Sequence, residues 1–380
     1  MKIVIYRDSR GPGYGGAENT IAVLAEALAK NHRVEFRNHR PDLTREALAA
    51  YAHTDLDQVA FQNLSFDEPK SPGWNPLANF AQAKAWNAHV AEDCDLFINV
   101  VNGPMVFNPA PHGILRVLFP FYGSHTGSRH PRNWYRRFEW AKRLGSYQFA
   151  CANSKFTARW TKKLWNLDCE VIYSPVDTNF QVAEKTNSIV SLGRFTTEGI
   201  KKKQLEMVTA FREMEQAHPS GWEYYTLGGL TDNPKDQAYF QSVCQAGEGV
   251  AAHILPNARR GDLKSICERA KIFWHAAGYG EDEEKNPGTA EHFGQVTVEA
   301  MAAGCVPVVI NKGGPPEVVD HGVDGFIWNT LDELQDYTRK LMLDDALRRR
   351  MSDAAREKSR KFNRQAFTTR FLEVIERLTA

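Results

Sequence analysis

From Lys2 to about Trp328, short runs of β-branched and aromatic residues alternate with segments patterned at helical period. Strands alternating with helices argue for parallel sheets built from β-α-β units, in which a crossover returns each strand in the direction of the last. A first series reads "KIVIY", "RVEFR", "DLFINV", "ILRVLF", "YQFACA" and "CEVIYS". A second opens at "IVSLGR" and runs through "WEYYTLGG", "AAHILP", "KIFWHA", "VPVVIN" and "DGFIW". The polar stretch from Pro175 to Asn187 separates them, and beyond residue 330 the pattern is helical. With 380 residues there is chain enough for two cores. The expectation is an α/β protein of two doubly wound domains, residues 1–177 and 187–360, with a ligand in the crevice beyond the C-terminal ends of their strands.

The loop "RGPGYGGAEN" places Gly11, Gly13 and Gly16 at G-x-G-x-x-G spacing behind a strand and ahead of a helix. That context suits a dinucleotide pyrophosphate, but Arg7, Asp8, Ser9 and Arg10 intervene before the first glycine. Glu35 lies inside the second strand, not at its tip where a ribose hydroxyl would be held. The fingerprint is therefore incomplete, and a nucleotide-binding oxidoreductase is a rival reading.

A net charge of +1, with 24% charged residues, excludes whole-chain polyelectrolyte binding, and no nucleic-acid partner is expected. No apolar run approaches the roughly 20 residues needed to span a bilayer, and Met1 leads straight into a strand without a signal-peptide pattern, so a cytoplasmic protein is expected. Six scattered cysteines lack any C-x-x-C pair and read as reduced, mostly buried side chains. "DLD" at Asp55 and "DCD" at Asp93 imitate a metal-binding D-x-D without a convincing site, so no metal and no cofactor are expected.

The chemistry is concentrated in "AEHFGQVTVEAMAAGCVPVVINKGGPPEVVDHGVDGF", where Glu291 and Glu299 stand eight positions apart around Gly294. Gln295 to Ala303 read as a helix, with Gly304 as its left-handed stop. The amides of Gly294, Gln295, Val296 and Thr297 would then form an anion site at the helix N-terminus. Two carboxylates beside a phosphate cradle suit a nucleotide sugar, one meeting ribose hydroxyls and the other sugar hydroxyls. Simple dipole charge on a surface helix would leave the neighbouring "NKGGPPEVV" unexplained.

This stretch resembles the signature of the retaining glycosyltransferases of family 4: Glu, seven residues, Glu, then "AMAAGxPVV" and "GGxxEVV". "GGAEN", "SPVDTNF" and "SLGRF" resemble further segments of that family. The resemblance implies the GT-B fold, two Rossmann-like domains facing across a cleft. It also implies transfer of a sugar from a nucleoside diphosphate donor to a glycan or lipid-linked acceptor on the N-terminal side, with retention. It assigns Arg194 and Lys202 to the donor diphosphate, with Lys201 and Lys203 as competitors, Glu291 to the sugar and Glu299 to the ribose. Gly15 and Gly16 would let the first domain close over the phosphates, and the final helix, residues 361–380 with Phe362, Phe367, Phe371, Ile375 and Leu378, would pack back on it. "EHFG" resembles the variant of mannosyltransferases that use GDP-mannose.

Two departures stand out. Leu118, Phe119 and Pro120 occupy the strand end where the family commonly has a His, with His125 nearby in sequence. "FWHAAGYGEDEEKNPGTAEHFG" replaces a short turn, bringing His275 and Gly278 beside the donor, while its acidic run reads as a solvated face. A GT-B epimerase and a non-catalytic sugar-nucleotide binding subunit remain as further rivals. Finally, "SRHPRNWYRRFEWAKRLGSY" interleaves Arg129, Arg132, Arg136, Arg137, Lys142 and Arg143 with Trp134, Tyr135, Phe138 and Trp140. Such a segment suits either a helix packed on its own sheet or peripheral contact with an anionic membrane.

Overall fold

The computed structural model describes residues 1–8, 14–64, 81, 85, 90, 92–103, 105–121, 132–181 and 183–380, the side chains of 132–136 excepted. The chain divides into two compact units, Met1–Pro175 with Arg364–Ala380, and Val176–Asn363.

In the first unit the described strands are β1 (Lys2–Arg7), β2 (Arg33–Asn38), β3 (Val59–Asn63), β4 (Leu96–Val101), β5 (His112–Val117), β6 (Phe149–Ala152) and β7 (Glu170–Val171). They pair in parallel in the order β3-β2-β1-β4-β5-β6-β7. Helix α1 (Gly16–Ala29) returns from β1 and α2 (Arg45–Ala52) from β2. Later come α3 (Arg132–Leu144), α4 (Lys155–Trp165) and, at the far end of the chain, α12 (Arg364–Thr379). Every residue of β4, "LFINVV", is buried, as expected of a parallel strand covered on both faces. Ile21, Leu24 and Leu28 of α1 share one core with Ile3, Ile5, Val34 and Phe36 of the sheet and with Phe367, Phe371, Val374 and Ile375 of α12. Arg364 ties α12 to the end of α2 by donating to the His53 carbonyl at 3.1 Å. The expected C-terminal stripe is split: Phe362 lies in a short 3₁₀ turn, Arg360–Phe362, belonging to the second unit, and its ring is 5.8 Å from that of Phe293.

The second unit repeats the plan with β8 (Ser188–Leu192), β9 (Glu223–Gly228), β10 (Ala252–Pro256), β11 (Ile272–His275), β12 (Val306–Ile310) and β13 (Phe326–Trp328). Their order is β10-β9-β8-β11-β12-β13, again parallel. The helices are α5 (Gln204–Ala217), α6 (Pro234–Ala246), α7 (Arg260–Arg269), α8 (Gln295–Ala302), α9 (Pro315–Val318), α10 (Leu331–Leu343) and α11 (Asp345–Ser359). Trp274 and Trp328 are fully buried here, and Trp274 donates its indole N–H to Thr338 Oγ1 at 2.9 Å, the partner a buried Trp requires. The strand order reverses at β8, so the loops leaving β8 and β11 flank a topological switch point, where open parallel sheets bind ligands.

Candidate active site

The loop after β8 is fixed by close backbone packing. A Cβ on Gly228 would overlap the Gly193 carbonyl, and one on Gly193 would overlap the stem of Lys202, so Lys202 runs directly over Gly193. Gln204 then closes the loop, its Nε2 donating to the carbonyls of Gly193 at 2.9 Å and Arg194 at 3.1 Å. This sends the three consecutive lysines apart. Lys202 Nζ donates to Glu291 Oε2, Lys203 Nζ sits 3.0 Å from Glu281 Oε1, and Lys201 is exposed. Arg194 is exposed at the mouth of the same loop.

Glu291 is held from below by the "KGG" turn. A Cβ at Gly313 or Gly314 would run into the backbone of residues 291–293, and the Gly314 amide donates to the Glu291 carbonyl at 2.7 Å. Those glycines are what the close approach demands. His275, at the end of β11, is 3% exposed, and its Nε2 lies 3.8 Å from Glu291 Oε2. Burial pushes the Glu291 carboxyl up, but the Lys202 ammonium and the His275 ring outweigh it and hold the group far below the usual carboxylate range. Burial lowers the His275 pKa despite the neighbouring carboxylate, which keeps the imidazole neutral.

Gly294 adopts φ +93°, a left-handed turn that delivers the chain into α8. Thr297 departs from expectation. Its amide donates to the Gly294 carbonyl at 3.0 Å, tightening the first turn, and is not available to a ligand. The buried Thr297 hydroxyl, by contrast, has no hydrogen-bond partner among the described residues. Gln295 and Val296 open the helix as expected, and Gly304 ends it at φ +82°. Glu299, one turn in and partly buried, is pushed up to about 7 by burial, with the Arg260 guanidinium opposing and the Asp177 carboxylate adding to the shift. Arg260 and Asp177 are themselves 3.7 Å apart.

The acidic run after Gly278 is only in part the solvated face expected of it: Asp282 and Glu284 are exposed, but Glu281 and Glu283 are half-buried and engaged. Glu283 accepts from the Gly313 amide at 2.9 Å, Glu281 pairs with Lys203, and Lys312 Nζ lies 3.4 Å from the Glu281 carbonyl. The insertion is thus fastened to the loop that presents Lys202 and to the turn that supports Glu291. Pattern reading missed this, along with Gly193 and Gln204, because those contacts span up to about eighty residues of sequence. In the first unit, Gly15 caps α1 with its amide donated to Glu18 Oε2 at 2.9 Å, Gly16 begins the helix, and Glu18 is buried 3.3 Å from the Arg7 Nε. His125 and the first two glycines of the N-terminal loop, Gly11 and Gly13, lie outside the described residues.

Residues 177–358 match the family model of the Glycosyl transferases group 1, and residues 14–180 that of Glycosyltransferase Family 4. The chain belongs to the group 1 glycosyltransferases. It is 33% identical over 276 residues to the alpha-1,3/1,6-mannosyltransferase ALG2 of Homo sapiens, covering 66% of this chain and 62% of that one. It is 24% identical over 255 residues to the GDP-Man:Man(3)GlcNAc(2)-PP-Dol alpha-1,2-mannosyltransferase of Dictyostelium discoideum, covering 62% and 48%. This family member thus matches only 48% to 62% of the length of those relatives. The crystal structure of Anabaena HepE in complex with UDP superposes with a TM-score of 0.70 at 18% identity, covering 100% of both chains. The shared architecture is the GT-B fold.

Proposed function

We propose that the chain is a hexosyltransferase that moves a sugar from a nucleoside diphosphate donor to a glycan or lipid-linked acceptor in glycoconjugate or polysaccharide assembly, with retention at the anomeric carbon. The observation that carries this reading is the meeting of Lys202 and Glu291 at the mouth of α8, inside the second unit. A cation, a carboxylate and a helix N-terminus in one place suit a diphosphate joined to a polyol. Lys202 and Arg194 neutralise the charge that grows on the leaving diphosphate, a contribution worth a few kcal/mol per donor group. The Thr297 hydroxyl and the amides that open α8 complete the cradle, Glu291 orients sugar hydroxyls and Glu299 the ribose. With those charges supplied by the chain, turnover is expected to survive chelation of divalent metal.

GDP-mannose is the leading donor. The "EHFG" variant supports it, as do the names of the two relatives, one of which states GDP-Man as donor and a PP-Dol-linked glycan as acceptor. Peripheral contact with an anionic membrane through α3 belongs to the same reading, supported by exposed Phe138 with the Lys142 ammonium 5.5 Å from its ring centre. No helix among the described residues is long and apolar enough to cross a membrane.

The test is a screen of UDP, GDP and dTDP sugars for protection from thermal unfolding, since a ligand at a hundred times its Kd adds about 2.7 kcal/mol. Analysis of the product anomer follows. Protection by none of them overturns the reading. Protection by NADPH instead, an epimerised sugar, or binding without turnover would favour the oxidoreductase, the epimerase or the binding subunit respectively.

A further inference from the structure

His275 is the one buried imidazole of the β11 strand end, and neither of its ring nitrogens has a hydrogen-bond partner among the described residues. An unsatisfied buried polar group costs about 1–3 kcal/mol, so such a side chain calls for a reason. Glu291 Oε2 lies 3.8 Å from Nε2, beyond hydrogen-bond length, and accepts instead from Lys202. The arrangement gives one carboxylate oxygen two prospective donors, of which only one is engaged.

We infer that His275 is a positioning residue that takes over Glu291 when Lys202 is drawn towards the donor diphosphate. The inference rests on the donor-site reading above. A diphosphate carries more negative charge than a single carboxylate, so a bound donor pulls the Lys202 ammonium away from Glu291. A partly buried carboxylate that loses its cation would swing or take up a proton. Closing the His275 gap by about 1 Å brings Nε2–H to the length of a charge-assisted hydrogen bond, about 2.8 Å. The carboxylate then stays ionised and aimed at the sugar. A neutral imidazole suits this role because it offers one N–H without adding a positive charge that would compete with Lys202 for the diphosphate.

Two measurements test the inference. The first is steady-state transfer from GDP-mannose, or from whichever nucleotide sugar the screen returns, by His275→Leu and His275→Gln. Leu should lower kcat by about 10- to 100-fold with donor KM little changed and Tm not reduced, because it removes an unsatisfied polar group. Gln, which keeps an N–H near Nε2, should recover most of the loss. In a Glu291→Gln background the Leu substitution should have little further effect, since His275 acts through that carboxylate. Wild-type kcat in His275→Leu, equal defects in Leu and Gln, or an undiminished defect on the Glu291→Gln background would each overturn the inference. The second measurement needs no sugar transfer. In ¹⁵N-histidine spectra, the His275 Nε2 resonance, assigned by its loss in His275→Gln, should shift on saturation with inorganic pyrophosphate. It should be already shifted in Lys202→Met without pyrophosphate. An unmoved resonance in both cases overturns the inference, even if the wild-type protein transfers no sugar and the donor-site reading has failed on its own.

Discussion

Glu291 Oε2 accepts a hydrogen bond from Lys202 Nζ and lies 3.8 Å from His275 Nε2, so a single carboxylate oxygen joins the loop after β8 to the end of β11. Glu291 is therefore both a support for the donor loop and the group proposed to meet the sugar. Glu291→Ala is expected to lower kcat/KM for the donor sugar by about 1.5–3 kcal/mol, roughly 10- to 150-fold, the worth of a hydrogen bond to a charged group. Binding of the nucleoside diphosphate without its sugar should change much less. Equal loss for both ligands, measured by calorimetry, would remove Glu291 from the sugar.

Arg194→Ala and Lys202→Ala are each expected to reduce kcat by about 10² or more, as losing a group that stabilises transition-state charge does. Lys201 is exposed and Lys203 is occupied with Glu281, so their alanine variants should stay within a few-fold of wild type. Kinetics on the four variants under one set of conditions separate them, and a damaging Lys201→Ala would reassign the phosphate cation.

Glu299 ties pH to stability. Its carboxyl is raised from 4.5 to about 7, chiefly by burial, so the folded chain holds that proton more tightly than the unfolded one. The contribution is fully present below the unfolded value and is lost as pH rises through about 7. Wild-type stability should therefore fall between pH 4.5 and pH 7 relative to Glu299→Gln, by up to about 3 kcal/mol. Glu291 is shifted the other way, so its contribution is lost only as pH falls below the ordinary carboxylate range. Urea titrations of both chains at pH 5 and pH 8 check the sign, and a difference independent of pH would contradict it.

The first unit depends on residues far away in sequence. Phe371 is fully buried in a core with Ile21 and Leu24, so Phe371→Ala should cost about 3–5 kcal/mol. Removing residues 364–380 should lower the melting of the first unit, followed through proteolysis of α1, more than that of the second. An unchanged first transition in calorimetry would show that α12 is dispensable.

Much of this was legible because parallel strands in buried sheets are continuous apolar runs, as "LFINVV" and "VPVVI" are. Strand β3 was not: in "VAFQN" only Val59 is fully buried, and an edge strand with so little core contact carries no strong period. The Gly313–Gly314 turn that holds Glu291 ahead of α8 shows only in the fold, whereas Gly294 and Glu299 could be read from spacing because the first opens that short helix and the second lies within it. The tightened turn at Thr297 could not, since whether an N-terminal amide bonds within the helix depends on local backbone angles and not on residue type. The anchoring of Glu281 and Glu283 was hidden for a different reason. Acidic runs are ordinarily solvated, and only the fold brings Lys203 and the Gly313 amide to them.

Helix α3 decides the membrane question. Its cations and aromatics are not all available: Trp140 packs edge-on against Trp165 at 5.1 Å, and Arg143 bonds Glu139 Oε1 at 3.0 Å and the Met105 carbonyl at 2.6 Å. Phe138 and Lys142 are exposed, so membrane contact through the described part of the helix rests on them. Vesicles containing anionic lipid should bind the protein at low salt and release it as the Debye length falls from about 10 Å at 0.1 M to about 3 Å at 1 M. Each cation near such a surface contributes about 1 kcal/mol, so Lys142→Glu should weaken binding by more than fivefold, while Phe138→Ser should weaken it at every salt concentration. If neutral and anionic vesicles bind equally, or neither binds at low salt, α3 serves only to cover its own sheet and the acceptor is one that reaches the protein from solution.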